Sequence, residues 1–380
     1  MAGAVYILMA AIALVGSNGL ILSPVLADIA RDFGASVPEA GRAMTAFGLG
    51  TALSAFWLGR MLDGFGIARA LQGAMVIGGL GQIGAAFSNG WITLALAEGV
   101  VGLASGVALP AIYALSAEIS PKGQEARILG RVILGWSISL IGAVPLGASL
   151  ADMAGWRVML ALIGAMSLAI FPLTGRIRAR HSAPHDAETI GRLAPLFLPG
   201  GLIAYLICLL FMAAFYGILA YTGAHVIHDF GVSTSSAGLI ALFYGVGFGI
   251  SSFLTGPVQR IGTARIQLFG AVLAAGLLLA LGGAPEFRLF LLLLVLWGLL
   301  NNQLLNTIVS GLTALAPRSK GAVLGLYSAV TYLAAALGTF VMGLLLAHYG
   351  FWSLGALGAG LHVLVVLLLL ASTRRRHATP

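Results

Sequence analysis

The 380-residue chain is 59% hydrophobic and only 8% charged, with a mean hydropathy of +1.02, whereas a soluble domain carries roughly 25% charged residues. That composition excludes an ordinary soluble protein and puts the lipid bilayer first among the partners. The formal net charge of +8 would point to nucleic acid in a soluble chain, but here the basic residues gather in loops on one side, so no nucleic-acid partner is expected.

Taken in order, the apolar runs predict spans at 5–27, 39–60, 67–87, 91–117, 128–150 and 157–175, then at 197–223, 235–256, 266–285, 287–315, 321–347 and 352–371. The first run lacks a basic n-region and a convincing cleavage site, so it reads as a retained span. With both termini in the cytoplasm, the inner loops and tail hold sixteen basic residues, among them Arg60, Arg69, Lys122, Arg176, Arg260, Lys320 and Arg374. The outer side keeps Arg31, Arg42, Arg157 and Arg288. That bias sets the orientation. Trp91, Trp156 and Trp352 each open a span on the outer side, where an indole settles at headgroup level. Cys208 is the sole cysteine, so neither a disulfide within the chain nor a cysteine metal cluster is available.

An internal repeat organises the chain. A shift of 197 residues lays Asp32, Phe33, Gly34, Ser36, Ala40, Gly41, Gly48, Gly50, Ser54, Phe56 and Gly59 on Asp229, Phe230, Gly231, Ser233, Ala237, Gly238, Gly245, Gly247, Ser251, Phe253 and Gly256, eleven identities in 28 ungapped positions. One residue is then lost, and Gly66, Ala68, Arg69 and Trp156 meet Gly262, Ala264, Arg265 and Trp352. The shift spans six helices, so the expected fold is an all-α membrane protein of twelve transmembrane helices, two six-helix bundles related by a pseudo-two-fold axis along the membrane normal. The domains are 1–175, a hydrophilic cytoplasmic linker at 176–195, and 196–380.

Between the second and third spans lies a polar hinge, residues 59–69, reading Gly-Arg-Met-Leu-Asp-Gly-Phe-Gly-Ile-Ala-Arg. It resembles the signature of the major facilitator superfamily, Gly-x-Leu-Ala-Asp-Arg-x-Gly-Arg-Lys, and the resemblance covers nearly the whole chain. Gly59, Asp63 and Gly66 match, while Gly64, Ile67 and Ala68 replace its basic residues and Arg69 stands one place later. The segment 24–34, with Asp28 and Asp32, is similar to that of the twelve-span drug and sugar efflux (drug:proton antiporter) branch. Val144-Pro145-Leu146-Gly147 followed by Gly155-Trp156-Arg157 looks more like the sugar and metabolite exporters than the multidrug ones. The resemblance implies alternating access, with Gly59, Asp63, Gly66, Arg69 and Glu118 forming a cytoplasmic conformational latch.

Glu98 is the one acid well inside a predicted span, where a charged carboxylate costs roughly 2.5–3.5 kcal/mol on insertion scales. It is the candidate proton-coupling residue; the other readings are a place nearer the outer surface or a structural hydrogen bond to a neighbouring helix. In the branch this place, four residues before Gly102, usually carries an Arg. The first span holds Ser17 and Asn18 in place of the acid found in several multidrug relatives, which argues against a cationic drug. In the tenth span Asn302, Asn306 and Ser310 share a face at i, i+4 spacing beside Asn301 and Gln303, either lining a cavity or bonding helices together. Asn18, Asn302 and Asn306, with Tyr205 and Tyr216 of the seventh span, are the solute-cavity candidates. His225 and His228 with Asp229 read as an exposed segment, and His362 as a structural polar group. No metal and no cofactor is expected, and the glycines lack the Lys-Ser or Lys-Thr of a phosphate loop.

The reading is a monomeric secondary active transporter of the bacterial inner membrane, no enzyme, that exports a small organic solute (a sugar, metabolite or drug-like compound) in exchange for protons. The alternative within transport is a proton symporter or facilitator for uptake. A membrane-embedded receptor or enzyme is disfavoured by short loops and by the lack of a catalytic cluster.

Overall fold

The computed structural model describes residues 2–57, 66–121, 123–175, 177, 191, 193–316 and 319–378. Every regular element among them is helical: α1 (Ala2–Asn18), α2 (Leu22–Phe33), α3 (Val37–Trp57), α4 (Ile67–Ala86), α5 (Trp91–Glu118), α6 (Glu125–Ile138), α7 (Val144–Ala154) and α8 (Trp156–Thr174), then α9 (Ala194–Phe197), α10 (Gly201–Phe230), α11 (Thr234–Ala237), α12 (Leu239–Gln259), α13 (Thr263–Gly282), α14 (Phe287–Leu315), α15 (Lys320–Tyr349) and α16 (Trp352–Ala378). A π-helical stretch, Ser139–Ala143, joins α6 to α7. Among the described residues nine helices are long and apolar enough to cross a bilayer, and the α1–α2 pair, bent by 45°, makes ten. The 21-residue α3 and 20-residue α4 have the length, but Arg42 in α3, Arg69, Gln72 and Gln82 in α4, and the glycines of both dilute the hydropathy.

The bend between α1 and α2 has a local cause. Ser17 Oγ donates back to Ala13 O at 2.8 Å, and the Leu20 and Ile21 amides both donate to Ser17 O, which closes α1 in a tight turn. Pro24 then sits in the first turn of α2, where a missing N–H costs nothing. At the other end of α2, Gly34 takes φ 59°, and its repeat mate Gly231 takes φ 65°; both stop a helix in the left-handed region that favours glycine. Ser36 and Glu39 follow as a reciprocal capping box, Ser36 N–H to Glu39 Oε2 at 2.8 Å and Glu39 N–H to Ser36 Oγ at 3.3 Å.

The chain forms two compact units. Unit 1 holds Met1–Asp186 with Thr222–Ala241, and unit 2 holds Ala187–Tyr221 with Leu242–Pro380. In unit 1, α3 crosses α5, and α4 packs on α5 and α8. The α3–α5 crossing is backbone to backbone: a Cβ at Gly102 would stand 2.1 Å from Phe47 O, and one at Gly50 2.3 Å from Gly99 O. Unit 2 repeats the crossing with α12 and α14, where Gly298 would meet Tyr244 O at 2.1 Å and Gly247 would meet Val295 O at 2.0 Å. These four pairs are related by the shifts of 197 and 196 residues, so the sequence repeat is also a repeat of contacts.

Unit 1 is tied at the Asp28–Asp32 end of α2. Thr234 Oγ1 of α11 donates to Asp28 Oδ2 at 2.5 Å, and Arg31 pairs with the other oxygen of Asp28. Asp32 Oδ2 accepts from Trp156 Nε1 at 2.9 Å and from Arg157 at 2.6 Å, with the guanidinium stacked 4.3 Å over the Trp156 ring. Trp156 is buried, and its N–H bonds the Asp32 carboxylate. Trp352 is 61% exposed, and Trp91 lies under Arg42 at 4.6 Å.

Candidate functional site

Along α5, three stripes have different neighbours. Gly99 and Gly102 face α3, while Val101 and Ala104 face α4, where Gly81 and Gly78 admit them. Glu98 and Ser105, seven residues apart, share the stripe between those two. Glu98 is 0% exposed, and neither of its carboxyl oxygens has a hydrogen-bond partner among the described residues. Buried carboxyls are ordinarily paired or hydrogen-bonded. Ser105 lines a small cavity of about 10 Å³ together with Asn18, Leu14, Met75 and Ser167, room for a single water.

Asn18, at the last turn of α1, accepts from Gln82 Nε2 of α4 at 3.2 Å. Gln82 is itself fully buried, and its Oε1 has no partner among the described residues. This glutamine escapes a reading based on charge alone. Its signal is an amide in the middle of a glycine-rich span, where the backbone offers it nothing to bond. Unit 1 thus brings Asn18 together with Gln82 and with Ser105, and it buries Glu98 two turns from Ser105 on the same stripe of α5.

Unit 2 carries the other amides. Asn306 Nδ2 donates to Asn302 Oδ1 at 2.9 Å, so these two candidates are brought together on α14. Asn302 Nδ2 donates to Ser252 Oγ at 3.1 Å, and Gln303 Nε2 reaches both Ser251 O and Ser251 Oγ at 2.8 Å. Those bonds join α14 to α12. Tyr205 stands apart, its hydroxyl donating to Val323 O at 3.0 Å. Tyr216 is half-buried, its ring 4.8 Å from Phe215 and 6.2 Å from Tyr332.

Of the latch candidates, Gly59 and Asp63 lie outside the described residues. Gly66 precedes α4 with φ 82°, Arg69 is exposed in the first turn of α4, and Glu118 is the half-buried last residue of α5. His225 and His228 both bond Asp229 through Nδ1, and no group of three metal-ligating side chains occurs among the described residues. His362 is buried with Nδ1 on Gly358 O at 2.8 Å.

The family model described as Major Facilitator Superfamily matches residues 7–226 and 204–380. Among curated proteins, the chain is 28% identical over 363 residues to the uncharacterized MFS-type transporter YwfA of Bacillus subtilis (strain 168), covering 93% of this chain and 88% of that one. It is 24% identical over 285 residues to a probable sugar efflux transporter of Mannheimia succiniciproducens, covering 74% and 72%. Among solved structures, that of a D-xylose-proton symporter superposes with a TM-score of 0.76 at 18% identity, covering 96% of each chain. The resemblance first carried by Gly59, Asp63, Gly66 and the internal repeat therefore holds over the whole length, and the chain is an integral membrane transporter of small solutes belonging to the major facilitator superfamily.

Proposed function

We propose that the protein exports a small organic solute in exchange for protons, and that Glu98 carries the proton. The observation that carries the reading is the buried carboxyl of Glu98 in unit 1, which has no hydrogen-bond partner among the described residues. A carboxylate in hydrocarbon is costly when charged and tolerable when protonated, so such a group changes its protonation only when water or solute reaches it. Two relatives described as probable sugar efflux transporters support the outward direction, and a fold neighbour described as a D-xylose-proton symporter supports a sugar-sized solute and proton linkage.

Residues 1–175 and 196–380 act as the two rocking bundles of a monomer in the bacterial inner membrane, with 176–195 as the cytoplasmic linker and both termini in the cytoplasm. Gly59, Asp63, Gly66, Arg69 and Glu118 form the latch, and Asn18, Asn302, Asn306, Tyr205 and Tyr216 contribute to solute binding. The test is solute-induced proton movement in proteoliposomes, wild type beside Glu98→Gln, which holds the side chain permanently neutral at nearly unchanged shape. We expect pH-driven flux to fall at least tenfold while solute counterflow without a gradient persists. Undiminished proton dependence in the mutant would remove Glu98 from the coupling step, and a solute flux driven inward by protons would favour the symport reading.

A further inference from the structure

Unit 2 contains a second group of buried polar atoms without partners, set among aromatic rings. Phe215 lies 4.8 Å from Tyr216, 5.4 Å from Tyr244 and 5.7 Å from Trp297, Tyr244 lies 5.4 Å from Trp297, and Tyr216 lies 6.2 Å from Tyr332. Four helices, α10, α12, α14 and α15, supply these five rings. Trp297 is 1% and Asn301 3% exposed, yet Trp297 Nε1 and Asn301 Oδ1 have no hydrogen-bond partner among the described residues. The Asn301 amide is held from its other end, Nδ2 donating to the Tyr244 hydroxyl at 3.1 Å. Phe215 and Tyr216 are half-buried, the least enclosed members of a cluster in which Trp297 and Tyr244 are buried.

The fold does not require these side chains. At the repeat-related positions of unit 1, Phe215 is replaced by Asn18, Tyr244 by Phe47, Trp297 by Val101 and Asn301 by Ser105, and the same backbone crossing forms around them. What the cluster asks for chemically is specific. Trp297 and Asn301, four residues apart on one helix face, present one donor and one acceptor, the two roles that a hydroxyl group complements. The surrounding ring faces favour apolar C–H surface. Among the described residues the cations that stack on rings are Arg42 and Arg157, neither of them on this cluster. We infer that Phe215, Tyr216, Tyr244, Trp297, Asn301 and Tyr332 form a recognition site for a neutral, hydroxyl-bearing ring compound, a sugar by chemical class. The inference rests on the transport reading and names the class of its solute.

The experiment is equilibrium binding of tritiated D-glucose, D-xylose and tetraphenylphosphonium to the purified full chain in detergent, with no gradient imposed. We expect saturable binding of at least one sugar. Trp297→Phe, which keeps a ring and deletes only the donor, should weaken it by about three- to tenfold, the range of one neutral hydrogen bond. Phe215→Ala should weaken it by about tenfold or more, and Trp91→Phe, an indole elsewhere in the chain, should leave it unchanged. Each variant is first required to run as one sharp peak on size exclusion; if Phe215→Ala does not, Trp297→Phe decides. Binding of neither sugar overturns the inference, as does wild-type sugar affinity in Trp297→Phe. Binding of tetraphenylphosphonium alone also overturns it, yet leaves the proton-coupling role of Glu98 standing, because that role is read from flux and not from equilibrium affinity.

Discussion

Gly102→Ala tests the central contact of unit 1. Non-bonded carbon and oxygen approach to about 3.3 Å, whereas the new Cβ would stand 2.1 Å from Phe47 O. The obstacle is a main-chain carbonyl inside a helix and cannot rotate away, so α3 and α5 must part by about 1 Å. Overpacking of this kind costs about 1–3 kcal/mol, and a rigid obstacle places it near the top of that range, roughly a hundredfold in the folded-to-unfolded ratio. Gly99→Ala is the internal control, one turn away on the same face. Its Cβ would find Ala46 at 3.9 Å, an ordinary contact, and alanine favours the helix over glycine by up to about 1 kcal/mol. Two identical substitutions three residues apart should therefore differ in sign. Detergent-solubilised protein heated in steps and read by the surviving monodisperse peak separates them: Gly102→Ala should melt below wild type and Gly99→Ala at or above it. If Gly102→Ala melts with or above Gly99→Ala, the helices do not cross where the backbone contact puts them, and the burial of Glu98 next to Gly99 loses its explanation.

Gln303→Leu should lower stability by about 1–3 kcal/mol, because it leaves Ser251 O and Ser251 Oγ without the donor that both use at 2.8 Å; a melt indistinguishable from wild type would mean water replaces the amide. Cys208 is 0% exposed, so a maleimide fluorophore should leave the native protein unlabelled and report one thiol as the protein unfolds. Prompt stoichiometric labelling of native protein would contradict the packing of α10.

The class of fold was legible because it depends on few kinds of information. Hydropathy located the rods, the 197-residue repeat paired them, and Gly59, Asp63 and Gly66 pointed to the family. Glu98 was legible as well, since an acid in an apolar run stands out whatever its neighbours. Other features were not, for physical reasons. Trp156 has the sequence context of an interfacial indole, and only the arrival of Asp32 from 124 residues away gives its N–H a better partner. Asn302 and Asn306 showed their shared face through i, i+4 spacing, and they bond each other, but the bond from Asn302 to Ser252 depends on which helix lies opposite. Trp297 was hidden for a different reason: within an apolar span an indole looks like packing, and what distinguishes it is a missing partner among the described residues, a property of the assembled helices and of no local pattern.

The two backbone crossings share a geometry and differ in what surrounds it. In α14, Asn302 and Gln303 bond Ser252 and Ser251 of α12, whereas the repeat-related positions of α5 hold Gly106 and Val107, which have no polar side-chain atoms to offer. Glycine at the centre of a crossing also leaves no ridge to climb when one helix slides past the other. The α3–α5 contact is thus a low-friction bearing, and the α12–α14 contact is the same bearing with a pin through it. The amide–serine pin is found in the half that holds the aromatic cluster and has no counterpart at the related positions of the half that holds Glu98, so the two crossings are unequal parts made from one repeated plan.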